Sequence, residues 1–315
     1  MRVTSAPPPD TNADIVEAFR HQLVARDLAP ATAKAYLYDL TRFQAWLAWV
    51  HEDATPLLTQ VRTVDLAAFR TYLIHEQAHA PATVNRRLQG LRLLFQWLYD
   101  CHWITENPAA HLRFMRKAGI RQPLGLRRRE VFALVHAAAA SPHRLAARNV
   151  ALVHLMLQAG LRVGEVTALT HRDVQLHTRS GTVYVRDGKG RKARDIPLNA
   201  TVRRALHAYL DTLPDVSAQT PVFLSKRGTS LAVRSAQAVV ARLAVHAGIQ
   251  RMPVSAHTLR HTFAVHYLQQ HPGKLRDLAD LLGHESLDTT ALYTKPSRDD
   301  VAADLERSPL NVDNL

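Results

Sequence analysis

Leu281-Leu282-Gly283-His284-Glu285-Ser286-Leu287-Asp288-Thr289-Thr290-Ala291-Leu292-Tyr293-Thr294 sets a histidine and a tyrosine nine residues apart in a chain of 315. Upstream, Gly160-Leu161-Arg162-Val163-Gly164-Glu165 and His257-Thr258-Leu259-Arg260 supply two arginines and a second histidine. Between those two stretches, Asp187-Gly188-Lys189-Gly190-Arg191-Lys192 holds a lysine flanked by glycines. A phenol, two guanidiniums, two imidazoles and an ammonium suit one kind of chemistry. The phenol attacks a phosphodiester while the cations hold the extra negative charge.

The charge balance points the same way. The chain carries a net +13, with a pI near 10.3. Residues 1–120 hold 13 Lys/Arg against 11 Asp/Glu, and residues 121–315 hold 27 against 16. The second part therefore carries the positive field, which draws polyanions. A GC-rich genome, which encodes arginine readily, explains the excess equally well. The one cysteine, Cys101, excludes an intrachain disulfide and a cysteine-built zinc site. No apolar run is long enough to cross a membrane, and the proline-bearing N-terminus lacks the apolar core of a secretory signal, so a cytoplasmic protein is expected.

Residues 1–11 are Pro-rich and expected to be disordered. From Ala13 the helical period begins, with Ile15, Phe19, Leu23 and Val24 on one face. Ala29-Pro30-Ala31-Thr32 breaks it, and Thr32 is positioned to cap a second helix reaching Trp49. A third helix opens at Val64-Asp65. After a second break, Ala80-Pro81-Ala82-Thr83, a fourth runs from Thr83 to Tyr99. Residues 12–105 thus read as a four-helix domain. The fourth helix shows Asn85, Arg86, Arg87 and Arg92 on its polar face, a DNA-contacting stripe or an ordinary solvated one. Residues 106–122, with Arg113, Arg116 and Lys117, read as a basic linker lying along DNA or as a free tether. Residues 123–298 form a second, mostly helical domain. In it, Thr182–Arg186 and Arg194–Leu198 make two strands of a small antiparallel sheet around the Lys189 turn. A polar tail, 299–315, follows.

Each candidate has a plain structural reading beside the chemical one. Tyr293 is the candidate nucleophile or a half-buried structural phenol. Arg162 and Arg260 would clamp non-bridging phosphate oxygens; the plain alternative for Arg162 is an ion pair with Glu165 at i+3. His257 lies three residues before Arg260 on a helix capped by Ser255, and can donate to phosphate or accept the tyrosine proton. His257 and His261 also have a metal-ligand spacing. The residue after His257 is Thr258, however, where a metalloprotease needs glutamate as general base, and no third ligand is evident, so no metal is expected. His284 would donate to a phosphate oxygen or position the phenol. Lys189 could protonate a departing 5′ oxygen, with Arg191 and Lys192 as rivals or simple DNA contacts.

Arg162, Lys189, His257-x-x-Arg260, His284 and Tyr293, in that order, resemble the tyrosine recombinase family (phage integrase, Xer-like). The resemblance implies a mainly α fold with a small antiparallel β-sheet, in which an N-terminal helical core-binding domain precedes an α+β catalytic domain. It implies a site-specific recombinase that cuts one strand of each duplex, leaves 3′-phosphotyrosine links, and passes through a Holliday junction. It further implies two double-stranded DNA sites held by four subunits, identical or paired with a sister recombinase, and no metal or other cofactor. The competing readings are a type IB topoisomerase acting as a monomer and a DNA-binding regulator that lost catalysis.

Overall fold

The computed structural model describes residues 9–26, 28, 30–52, 56–116, 125–186, 193–214, 217–284, 287, 290, 293 and 306. The chain divides into two compact units, Met1–Ile120 and Arg121–Leu315.

The first unit is built of α1 (Asn12–Ala25), α2 (Pro30–Val50), α3 (Thr63–Thr71) and α4 (Pro81–Asp100). Thr11 caps α1, its hydroxyl accepting from the Asp14 N–H. In both Ala-Pro-Ala-Thr breaks the helix begins at the proline, not at the threonine. A proline in the first turn gives up an N–H that has no helical partner there, and its fixed φ suits the helix. After α3 the chain continues as a π-helical turn, Tyr72–Glu76, which periodicity alone did not reveal. Ile15, Phe19, Phe43, Leu47, Phe69, Leu91, Leu94 and Phe95 are fully or almost fully buried and form the core.

Within this core sits a charge. Asp39 of α2 is 1% exposed and pairs with Arg86 and Arg87 of α4. Burial pushes its carboxyl up, against the pull of the two guanidiniums. The stretch expected to open a linker is tied to this unit as far as Met115. Ala109 is buried. Asn85 accepts from the Met115 N–H at 2.8 Å and donates to its carbonyl at 2.9 Å. Arg92 lies over the Phe114 ring at 5.7 Å.

The second unit contains α5 (Arg128–Ala139), α6 (His143–Gln158), α7 (Val163–Ala168), a three-stranded sheet, α8 (Ala200–Leu210), α9 (Val233–His246), α10 (Ala256–Gln270) and α11 (Leu275–Leu282). The sheet is antiparallel in the order β1 (Val174–Leu176), β2 (Gly181–Val185), β3 (Arg194–Pro197), with Val183 facing Val174 and Ile196. β1 is only three residues long and exposes Gln175, so it has too little alternation to stand out in the sequence. α6 runs through the core against α5, α8 and α10, and Ala151, Leu152, Val153, Leu155 and Met156 are fully buried. Among the described residues no helix is long and apolar enough to cross a membrane.

Candidate active site

Three helices, α7, α10 and α11, position the site. Ser255 caps α10, its Oγ accepting from the Thr258 N–H at 3.2 Å, as its place before the helical period implies. From that start, His257, Arg260, His261 and Ala264 fall on one side of α10 at i, i+3, i+4 and i+7. Arg162 precedes α7 as its N-cap. His284 follows Gly283, which ends α11 in the left-handed conformation at φ 60°.

Arg260 is 1% exposed. Its Nη1 donates to the Gly160 carbonyl at 2.8 Å, and its Nη2 donates to the Leu282 carbonyl at 2.6 Å and to His284 Nε2 at 3.1 Å. Burial and the nearby Arg162 charge lower its pKa to about 9. A guanidinium can only donate, so His284 Nε2 must be an acceptor and its proton sits on Nδ1. Nδ1 then donates to Thr290 Oγ1 at 2.8 Å. His284, expected to donate to phosphate or to position the phenol, is thus engaged at both nitrogens and orients Arg260. Burial, helped by Arg260 and Arg162, brings its pKa to about 4.

Glu165 is the anionic hub. Its side chain, 4% exposed, accepts from Arg162 Nη1 at 2.7 Å, from Arg194 Nη1 at 3.1 Å and from Arg194 Nη2 at 2.9 Å. Arg260 Nη1 lies 3.8 Å from the same carboxylate. Burial works to raise its pKa, but the hydrogen bonds and charges of Arg194 and Arg162 outweigh burial and hold it low. The Arg162–Glu165 pair that spacing offered as the plain alternative therefore exists, and together with a bond from Arg162 Nη2 to the Gly283 carbonyl at 3.3 Å it fixes Arg162. Arg194 also donates to the Leu281 carbonyl at 2.9 Å, fastening the His284 turn to the hub. Nothing in the local sequence marks Arg194, which reads simply as the first residue of a strand.

Arg162, Glu165, Ser255, His257 and Arg260 line an open pocket of about 650 Å³. Burial and the charges of Arg260 and Arg162 lower the His257 pKa. Tyr293 is 7% exposed and packs with Ala264, Leu278 and Leu282. Its Oη lies 2.6 Å from Nδ1 of His261, not on His257. Burial raises the phenol pKa, while Arg260 and Arg162 pull it back. His257 meets His261 edge to face, with ring centroids 4.0 Å apart.

Arg162, His257, Arg260, His284 and Tyr293 are thus brought together around α10. Lys189, Arg191, Lys192 and Lys117 lie outside the described residues. Of the proposed DNA contacts in the first unit, Arg87 turns inward to Asp39 with a side chain 13% exposed, whereas Arg86 is 42% exposed beside the same carboxylate. Arg113 and Arg116 lie in or beside the segment held by α3 and α4, where the Arg113 carbonyl accepts from Arg70 of α3 and Met115 pairs with Asn85 of α4.

Comparison with known proteins gives a consistent result. The profile of the phage integrase family matches residues 125–299, and that of the phage integrase N-terminal SAM-like domain matches 15–105. Tyrosine recombinase XerC of Xanthomonas campestris pv. campestris (strain B100) is 35% identical over 292 residues, covering 92% of this chain and 87% of that protein. Tyrosine recombinase XerD of Ralstonia nicotianae is 33% identical over 298 residues, covering 93% of each. Among solved structures, XerH site-specific recombinase bound to palindromic difH substrate in a post-cleavage complex superposes with a TM-score of 0.74 at 23% identity, covering 95% of this chain and 86% of that one. A lambda integrase tetramer bound to a Holliday junction gives 0.68 at 20% identity, covering 88% and 78%.

Proposed function

The chain belongs to the phage integrase family and is a tyrosine recombinase, a site-specific enzyme of DNA cleavage and rejoining; from that premise we propose that Tyr293 is the residue that opens the strand. Its Oη attacks the scissile phosphorus and becomes a 3′-phosphotyrosine, and the 5′ oxygen leaves. The ester keeps the bond energy, so the released 5′ hydroxyl of a partner strand can attack it and reseal without ATP. Arg162 and Arg260 stabilise the charge that spreads over the non-bridging oxygens. His257, which lines the same pocket, donates to one of those oxygens. Lys189 protonates the leaving 5′ oxygen.

The observation that carries this reading is the pairing of a cationic pocket, walled by Arg162, His257 and Arg260, with a phenol held by the next turn of the same helix. The substrates are two double-stranded recombination sites held in the cytoplasm by four subunits, in the manner of the lambda integrase tetramer on its Holliday junction. Arg86, Arg92, Arg113 and Arg116 of the first unit contact the phosphate backbone.

The test is a suicide duplex, nicked so that the cleaved end diffuses away, built from the DNA flanking the gene. Wild type should become covalently linked and Tyr293→Phe should not. A link that persists in Tyr293→Phe assigns the nucleophile elsewhere. Holliday junctions from two intact sites are the expected intermediate; relaxation of supercoils with no junction would favour a topoisomerase.

A further inference from the structure

A neutral phenol is a poor nucleophile, and its proton must leave as the oxygen–phosphorus bond forms. The acceptor must stand within hydrogen-bond reach of the phenol oxygen. In this structure the partner of Tyr293 Oη is Nδ1 of His261, at 2.6 Å. We propose that His261 takes the Tyr293 proton during strand cleavage and returns it during rejoining. The inference rests on the reading that Tyr293 is the nucleophile.

Three observations converge on His261. The contact is short and joins one ring nitrogen to one phenol oxygen, so with a neutral phenol donating, Nδ1 is the acceptor and the His261 proton is on Nε2. The ring is braced: His257 stands edge to face against it at 4.0 Å, one helical turn before it. His261 is also ready to accept, because burial and the charges of His257 and Arg260 keep it neutral, with a pKa of about 4. A phosphodiester entering beside Arg162 and Arg260 brings negative charge, which raises the basicity of the imidazole at the moment of need.

The step balances. Oη bonds to phosphorus as its proton passes to His261 Nδ1; the phosphorus–O5′ bond breaks, and O5′ takes a proton from Lys189. On rejoining, a 5′ hydroxyl gives its proton to Lys189 and attacks phosphorus, the Oη–phosphorus bond breaks, and His261 returns its proton to Oη. His257 is left free to serve the phosphate from its place in the pocket wall.

The experiment measures single-turnover cleavage of the suicide duplex from pH 6 to 9 for wild type, His261→Gln, His261→Asn and His257→Gln. Wild type should be nearly flat with pH. His261→Gln should be about 100-fold slower at pH 7, within the range for a lost general base. Its rate should also climb about tenfold per pH unit, because the phenol must then ionise unaided. Asparagine keeps an acceptor near the Nδ1 position but cannot take a proton, so His261→Asn should share that slope. A sulfur leaving atom in place of O5′ should not rescue either variant, because the defect lies on the nucleophile side. His257→Gln should stay flat with pH.

A flat profile in the His261 variants, or cleavage faster than wild type, would make His261 a latch on the resting tyrosine and overturn the inference while leaving the recombinase reading intact. Wild type that forms no Tyr293-dependent link overturns the reading itself. On the protein alone, nitrogen-15 histidine spectra should show His261 protonated at Nε2, with the Nδ1 signal shifting in Tyr293→Phe. A proton on Nδ1, or no shift, also overturns the inference.

Discussion

Arg194 and Glu165, 29 residues apart in the chain, meet as a two-pronged pair, with Nη1 to Oε1 at 3.1 Å and Nη2 to Oε2 at 2.9 Å. The pair joins the start of a strand to the first turn of α7. Through the Arg194 bond to the Leu281 carbonyl it also reaches the turn that carries His284. One buried carboxylate thereby sets the spacing of three guanidiniums that would otherwise repel one another.

Glu165→Ala is accordingly expected to destabilise the second unit by about 3–5 kcal/mol, the cost of breaking a buried ion pair from one side. Cleavage should fall with it, since Arg162 and Arg260 lose their shared anchor. Chemical denaturation would check the first part. A loss of under about 1 kcal/mol would mean that the hub is dispensable.

Gly283 turns the chain at φ 60°, and a Cβ there would lie 2.9 Å from Arg194 Nη1. Gly283→Ala should cost about 1–3 kcal/mol of backbone strain and also displace the arginine. Gly248 is a matched comparison, with φ 66° and no heavy atom within 4 Å of where a Cβ would stand. Gly248→Ala should show the strain in a melting experiment yet cleave DNA at the normal rate. Equal activity in both variants would refute a link from Gly283 through Arg194 to the site.

Arg162→Ala and Arg260→Ala should each slow cleavage by about 100- to 1000-fold if both act on the transition-state charge. They should differ in stability. The Arg162 side chain is 27% exposed, whereas Arg260 is buried and satisfies two backbone carbonyls. Arg162 donates to one carbonyl, that of Gly283 at 3.3 Å, whereas Arg260→Ala strips two buried ones, at about 1–3 kcal/mol each. Denaturation of the two variants side by side separates the roles.

Acid should weaken the second unit in two stages. His261 and His284 have folded pKa values of about 4, below the ordinary 6.5, so between those values the unfolded chain binds more protons and stability falls as pH falls. Glu130 is held at about 2 by its hydrogen bond to Arg251, below its ordinary 4.5. Its contribution, on the order of 2 kcal/mol for a charged hydrogen bond, is present above 4.5 and is lost as pH drops toward 2. Melting temperature against pH should show both slopes, and Arg251→Ala should shrink the lower one, to which Glu165, also held low by its arginines, contributes as well.

In the first unit, Arg87→Ala should cost stability, because it strips a partner from buried Asp39. Arg86→Ala, at a more exposed position, should also weaken DNA binding and lower its salt dependence by about one counterion. Binding titrations at several salt concentrations distinguish the two. Identical salt slopes for wild type and Arg86→Ala would place Arg86 off the DNA.

Much of this molecule was legible along the chain. The period of Ile15, Phe19 and Leu23 and the Ser255 cap are local devices, and they marked helices that the structure contains. The spacing of His257 and Arg260 placed both on one side of α10, because three residues make most of a helical turn. What stayed hidden depends on contacts distant in sequence. Glu165 could be seen only as the i+3 partner of Arg162, and Arg194 only as a strand residue. His261 was visible as half of an unused metal spacing. That it faces Tyr293, 32 residues away, follows from how α10 and the following turns pack. Periodicity reports which face of an element is buried; it carries no information about which distant side chain meets that face. Residue order therefore dictated the helices, their caps and the chemical groups collected at this site. Which carboxylate holds the arginines, and which imidazole holds the phenol, was settled only when α7, β3, α10 and α11 packed together.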